Sequence, residues 1–279
     1  MWRSLDAIFD RCVLVTYRLR FHLFFKNNLA DGEYCNSRRI RVDKRPGAES
    51  RNRPYLAIIR CGAKHCLVDD GSQRNFDIAL NLYAPPDTKE LLDDCEYLYS
   101  GGINKYRAAW QFIGDVLLSK YTGFIFLDDD LEITFSHLSR FLEYCSAHGF
   151  GLAQPSTSKD SSCTYEHLVN ASSSGWRTVA LVEVMCPYFS TDALRIVLNT
   201  FNRCYSTWGL DFLWPRLLAF EPIVVDEFTI KHTKLVGGSD SDTPFYRYMR
   251  YIGVSPRREL RKLRNFSETK LRRWQRRAD

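Results

Sequence analysis

Apolar and polar positions change rhythm several times along this 279-residue chain. Residues 1–30 read as a helix, apolar but interrupted by Arg3, Asp6, Asp10, Arg11, Arg18, Arg20 and Lys26. Residues 31–53 are polar, charged and turn-rich, which predicts a linker or exposed loop. From there the pattern is that of short apolar runs. YLAIIRCG (55–62) reads as a buried strand ending in Gly, and HCLVDDG (65–71) turns from apolar to acidic. FDIALNLYAPP (76–86) is a strand stopped by two prolines, and CEYLYSGG (95–102) is a further strand or strand end. Residues 103–121 change to helical spacing, with Tyr106, Trp110, Ile113 and Leu117 on one face. FIFLDDD then returns to a strand, and 133–149 reads as a helix with a Gly stop.

The second half repeats this rhythm. Residues 177–190 predict a strand ending at Pro187, and 191–204 predict a helix opened by Thr191 and Asp192. A Gly-containing turn leads into a helix within 206–220, PIVVDEFTIKH (222–232) is strand-like, and 237–244 is a loop by composition. Strands alternating with helices predict an α/β domain with a mostly parallel sheet. Such sheets bind ligands beyond the carboxyl ends of their strands. The carboxyl end of FIFL is Asp128-Asp129-Asp130.

Composition narrows this. At 45% hydrophobic and 14% aromatic residues the chain is too apolar for general disorder and long enough for one sizeable core. Nine cysteines at irregular spacing fit buried free thiols in a reducing compartment. Cys61 and Cys66 lack a second ligand pair at zinc spacing. Net charge is +6, yet residues 255–279 hold ten Lys/Arg against three Asp/Glu, so the rest of the chain sums to −1. That tail carries Leu260, Leu263, Phe266, Leu271 and Trp274 among its basic residues, the pattern of a cationic amphipathic helix suited to an anionic membrane surface. Nucleic acid, the rival partner for a basic stripe, is the less favoured reading. The longest uncharged run near the start, Cys12 to Tyr17, is far short of the ~20 residues of a spanning helix.

Three adjacent carboxylates repel one another, and an apolar strand that ends in them calls for a counter-charge. Two aspartates separated by one residue can face a single hard cation, and Mg²⁺ or Mn²⁺ bridges carboxylates to phosphates. The bland alternative is an acidic turn or helix start. His232 closes a predicted strand about a hundred residues later, and a neutral imidazole is a sensible further ligand for Mn²⁺. Asp211 follows an aromatic–Gly turn at the mouth of a helix, where it could be either a general base or a cap.

FIFLDDDLEI, GLAQPS (151–156), VEVMCPYFS (182–190), WGLD (208–211) and VVDEFTIKH (224–232), in that order, resemble a glycosyltransferase of the GT-A type. More narrowly, they resemble an uncharacterised plant and bacterial family labelled as related to lysine-ketoglutarate reductase trans-splicing proteins, a label that implies no reductase activity. The resemblance covers roughly residues 55–238. It implies a nucleotide-binding α/β/α sandwich at 54–250, preceded by a helix and linker (1–53) and followed by the basic tail (251–279).

Carried over by position, Asp128 and Asp130 match the metal and diphosphate ligands, and His232 the late metal ligand. Asp129 would face the ribose or donor sugar. Asp211 matches the base, and Glu183 is a second acidic candidate for an acceptor or donor-sugar hydroxyl. Asp69, Asp70 and Gly71 would touch the nucleotide, and Lys105 and Arg107 the base or phosphates. The implied activity is metal-dependent sugar transfer from a nucleotide-sugar to a hydroxyl of a glycan or lipid-linked acceptor. Unlike the plant members, the chain shows no spanning segment at its start, which favours a cytoplasmic, membrane-peripheral protein over a Golgi-lumen one. Two other readings use the same features: a metal-dependent phosphotransferase, nucleotidyltransferase or nuclease, and a binding module that kept the fold without the activity.

Overall fold

YLAIIRC forms β2 (Tyr55–Cys61), and its two-residue period splits it between two cores. Leu56 and Ile58 enter one with Phe124 and Phe126, while Tyr55, Ala57 and Ile59 enter the other with Ile125 and Leu127. A near-continuous apolar run is what a strand covered on both faces requires. The computed structural model describes residues 41–44, 52–85, 95–102, 104–171, 175–202, 207 and 209–234. The expected helix at 1–30, the loop at 237–244 and the basic tail lie outside them.

β4 (Phe76–Leu82) and β6 (Gly123–Asp128) flank β2 in parallel, and β5 (Tyr97–Ser100) runs parallel to β4. β10 (Tyr188–Ser190) sits antiparallel between β6 and β8 (Leu152–Thr157), and β8 is parallel to β11 (Pro222–His232). β1 (Arg41–Lys44) pairs antiparallel with β5 at one edge, and β9 (Trp176–Thr178) lies antiparallel to β11. Along β1-β5-β4-β2-β6-β10-β8-β11 only β1 and β10 are reversed, so the main sheet is mostly parallel, as expected. After a bulge between Val225 and Thr229, β11 extends to pair with β7 (Leu131–Thr134), which in turn pairs with β3 (Leu67–Val68). This extension brings His232 to the end of the triple aspartate.

Helices cover both faces, giving the α/β/α layering expected. α1 (Lys105–Phe112), α4 (Thr191–Phe201) and α5 (Leu210–Leu217) supply Tyr106, Phe201 and Trp214 to an aromatic cluster over Phe126 and Phe189. The Tyr106 and Phe201 rings are 4.8 Å apart, and the Phe126 and Phe201 rings 5.3 Å. α3 (Phe135–Ala147) packs Leu138, Phe141 and Leu142 against the other face. Among the described residues, no helix is long and apolar enough to cross a membrane.

Four expected elements differ. The single helix expected over 103–121 is two, α1 and α2 (Asp115–Lys120), parted at Ile113–Gly114 where glycine disfavours continuation. The helix expected from 133 starts at Phe135, because Leu131–Thr134 is claimed by β7 and Thr134 caps the helix by accepting from the His137 N–H. The linker expected over 31–53 contains β1, an edge strand of mixed polarity that periodicity does not reveal. The strand expected over 177–190 is only its two ends, β9 and β10. The apolar residues between them, Val179, Leu181 and Val182, are buried from an irregular segment. An apolar run reports burial, and burial here does not need a strand.

Candidate active site

β6 delivers the triple aspartate to the carboxyl edge of the sheet, and each of the three carboxylates meets a different environment. Asp128 Oδ1 lies 2.9 Å from Lys105 Nζ. The same ammonium donates to the carbonyl oxygens of Val184 at 2.7 Å and Met185 at 3.1 Å. Three donors on three acceptors leave Lys105 with no hydrogen left for a phosphate. In this structure Lys105 is the internal counter-ion of Asp128. Two glycines with positive φ, Gly101 and Gly102, and the Asn104 cap on the Arg107 N–H set the start of α1 that carries it. A Cβ on Gly102 would stand 2.6 Å from that of Ala108, so the turn is pressed against the helix. Burial raises the Asp128 pKa and Lys105 opposes it. Arg107 is buried on α1.

Asp129 is also held by the protein. Its Oδ2 accepts from Tyr83 Oη at 2.6 Å and from the Gly62 N–H at 3.2 Å, and Lys234 Nζ lies 3.7 Å from Oδ1. The Asp129 hydrogen bond pushes the Tyr83 phenol up to about 12. The guanidinium of Arg60 sits 5.5 Å from the centre of the Tyr83 ring.

Asp130 differs from its neighbours. Its Oδ1 is buried and has no hydrogen-bond partner among the described residues. His232 Nε2 faces it at 3.4 Å, while His232 Nδ1 stands 3.0 Å from the Ser162 carbonyl. That carbonyl accepts only, so a proton is assigned to Nδ1, and in the uncharged tautomer this leaves the Nε2 lone pair facing Asp130. Two acceptors face to face suit a cation between them. Thr233 fixes the pairing, its N–H and Oγ1 both donating to the Asp130 carbonyl at 2.8 and 2.9 Å. Of the expected trio, the structure brings Asp130 and His232 together and ties Asp128 to Lys105. Among the described residues no three His, Cys, Asp or Glu side chains converge as a ready-made metal site.

Glu183 and Asp211 approach from the other core. Glu183 projects from the irregular segment after β9, with its N–H on Gln154 Oε1 at 2.5 Å. Its Oε2 is buried without a partner among the described residues. Burial raises its pKa, with the Thr164 hydroxyl, His232 and Lys105 opposing and Asp128 adding to it. Asp211 is 4% exposed at the start of α5. The helix cap is Gly209, whose φ of 96° suits glycine, and Thr207 also has positive φ, at 68°. A β-branched residue in that region marks a strained turn.

Asp211 Oδ1 accepts from the Phe212 N–H at 3.0 Å and Oδ2 from Tyr165 Oη at 3.2 Å. Burial first, and the Glu183 charge second, raise its pKa to about 7, against the pull of those two donors. The arrangement offers a carboxyl able to take a proton near neutral pH and a carboxylate–imidazole pair able to hold a cation, with the Glu183 charge felt by Asp211 and in turn influenced by His232.

Asp69, Asp70 and Gly71 fall elsewhere. Val68 pairs with Thr134, so they stand at the end of β7 remote from Asp130, about 13 Å along a four-residue strand. Asp69 Oδ1 accepts from the Gly71 N–H, and Asp70 receives the N–H and hydroxyl of Ser136 in the first turn of α3. Those hydrogen bonds hold the Asp70 carboxyl well below the usual range. These contacts give the segment a turn and helix-start role. Tyr83, Tyr165 and Lys234 are the site residues that sequence reasoning missed. Tyr83 follows a strand end and Lys234 follows His232 by two positions, which are the only signals for them in the sequence.

No protein-family model matches the chain, and no curated protein matches it. The narrower family resemblance therefore rests on the sequence runs alone. Among solved structures, S. aureus TarS matches with a TM-score of 0.46 at 12% identity, over 71% of this chain and 38% of that one. TarS 1-349 in complex with UDP-GlcNAc matches with 0.45 at 13%, over 71% and 65%. GalNAc-T7 with UDP, GalNAc and Mn²⁺ matches with 0.44 at 8%, over 72% and 48%. This chain thus spans less than two thirds of each of these structures. The functional reading rests on the geometry of the site.

Proposed function

We propose that this chain is a metal-dependent glycosyltransferase that moves a sugar from a nucleotide-sugar to an acceptor hydroxyl with inversion. The observation that carries the reading is the buried Asp211, held by Tyr165 and the Phe212 N–H and facing the charge of Glu183, which itself responds to His232 and Asp128. A base works best when its pKa lies near the working pH, and Asp211 is raised to about 7. The acceptor oxygen forms its bond to the anomeric carbon as the bond from that carbon to the diphosphate breaks. The bonding pair leaves with the diphosphate, and the acceptor proton goes to the Asp211 carboxylate. Glu183, with Oε2 unpartnered among the described residues, is placed to take a hydroxyl of the acceptor or donor sugar.

The site fits a divalent cation at Asp130 and His232, judged by the unpartnered Asp130 Oδ1 and the imidazole lone pair that faces it. Mn²⁺ or Mg²⁺ bound there would supply positive charge to a diphosphate leaving group. Asp128 stands beside them, already paired with Lys105. The acceptor is a glycan or lipid-linked glycan, and the basic tail at 251–279 would hold the enzyme on the cytoplasmic face of an anionic membrane.

The test is release of nucleoside diphosphate from a panel of nucleotide-sugars, with and without oligosaccharide acceptors. Turnover of one donor, lost in Asp211→Asn, supports the reading. A folded wild-type chain inert toward every donor but releasing phosphate or pyrophosphate from nucleotides would replace it with phosphoryl transfer.

A further inference from the structure

Among the described residues, Lys234 is a cation of this site that no hydrogen bond to a carboxylate saturates. Its ammonium lies 3.7 Å from Asp129 Oδ1 and 3.8 Å from Asp130 Oδ2, beyond hydrogen-bond length, and the side chain is 64% exposed. Lys105, by contrast, is 3% exposed and fully engaged. The position of Lys234 is imposed. The antiparallel pairing of β11 with β7 and the double hydrogen bond from Thr233 to the Asp130 carbonyl deliver the next residue over the carboxylates. Asp130 therefore faces two competing partners: the Lys234 ammonium on Oδ2, and the space beside His232 Nε2 on Oδ1.

We propose that Lys234 is an exchangeable counter-ion that leaves Asp130 to a divalent cation and transfers its own charge to the phosphates of the arriving nucleotide. The inference rests on the nucleotide-sugar reading and deepens it. Without nucleotide, the ammonium competes with the cation for the Asp130 carboxylate. With nucleotide, the ammonium finds a better anion, and the cation meets less competition. Each ligand then favours the other, and by linkage the enhancement is equal in both directions. A long, exposed lysine suits this role, because its charge moves at small cost in packing.

The experiment is calorimetric titration of Mn²⁺ into the full chain, alone and with each of UDP, GDP, CDP and ADP, for wild type, Lys234→Met and Lys234→Arg. An exposed ion pair is a weak competitor, so Lys234→Met should bind Mn²⁺ alone about three- to fivefold more tightly than wild type. It should also lose most of the enhancement that the nucleotide gives to Mn²⁺. Lys234→Arg, which keeps the charge, should behave as wild type. If wild type binds Mn²⁺ and a nucleotide while Lys234→Met has the same or weaker Mn²⁺ affinity and the same enhancement, the exchange is overturned and the function stands. If folded wild type binds neither, the nucleotide-sugar reading falls, and the exchange with it.

Discussion

Asp211 carries the sharpest consequences at the scale of single residues. Its pKa rises from 3.8 to about 7 on folding, so the folded chain keeps a proton that the unfolded chain releases from about pH 4 upward. Between those values the unfolded state binds fewer protons, and stability must fall as pH rises, levelling off above 7. At ~1.4 kcal/mol per unit the loss is about 4 kcal/mol at most. Asp211→Asn cannot titrate, so its melting temperature should fall less than that of wild type between pH 4 and 7. Equal slopes would contradict the burial argument. In activity the sign reverses, because the base must be ionised: turnover should climb through pH 7, and Asp211→Asn should lose ~10²–10⁴-fold in kcat. Tyr165→Phe removes a donor that pulls the Asp211 pKa down. The rising limb of its pH–rate profile should therefore move to higher pH, and a limb that stays put would exclude Tyr165 from holding the base.

At the scale of elements, the site depends on how strands and turns are joined. Phe126 in β6 anchors the aromatic cluster that seats α1, α4 and α5. Phe126→Ala should cost ~3–5 kcal/mol, read by denaturant unfolding. Gly102→Ala adds a Cβ 2.6 Å from that of Ala108 at a φ of +78°. It should destabilise by ~1–3 kcal/mol and shift Lys105 away from Asp128. Circular dichroism melts together with diphosphate binding would report both effects, and wild-type values in each would show that the turn does not position α1.

The central strands β2, β4 and β6 were legible at this scale, because FIFL, YLAIIRC and FDIAL are buried on both faces and read as unbroken apolar runs. The segment at 179–187 was not. Its apolar residues are as buried as a strand's, but the Val184 and Met185 carbonyls go to Lys105 and Tyr106. Those partners lie about 80 residues away, and no local pattern announces them. The same holds for the site. Asp130, His232 and Asp211 could be named from motif positions, whereas the Lys105–Asp128 pair, Tyr83 on Asp129 and Tyr165 on Asp211 exist only through tertiary approach. Asp69–Asp70 is ambiguous for the opposite reason, since an acidic pair after an apolar run looks the same whether it meets a nucleotide or starts a helix.

For the molecule as a whole, charge is divided between a near-neutral body and a tail of +7. A cationic amphipathic tail should bind vesicles containing anionic lipid and release them as salt rises, since surface attraction is screened beyond about 10 Å at 0.1 M. Flotation of the full chain with phosphatidylserine vesicles, compared with a chain ending at residue 250, measures this. Equal flotation of both would remove the tail from the account. The sheet supplies the other whole-molecule feature: its parallel strands, together with the β11 extension, gather residues from 60 to 234 at one edge. The most direct measurement of what that edge is for is calorimetry of UDP, GDP, CDP and ADP, with and without Mn²⁺, on wild type and Asp130→Ala. The account predicts binding of one diphosphate that strengthens with Mn²⁺ and is lost in Asp130→Ala. Diphosphate binding indifferent both to Mn²⁺ and to Asp130, or none at all in a folded chain, would contradict it.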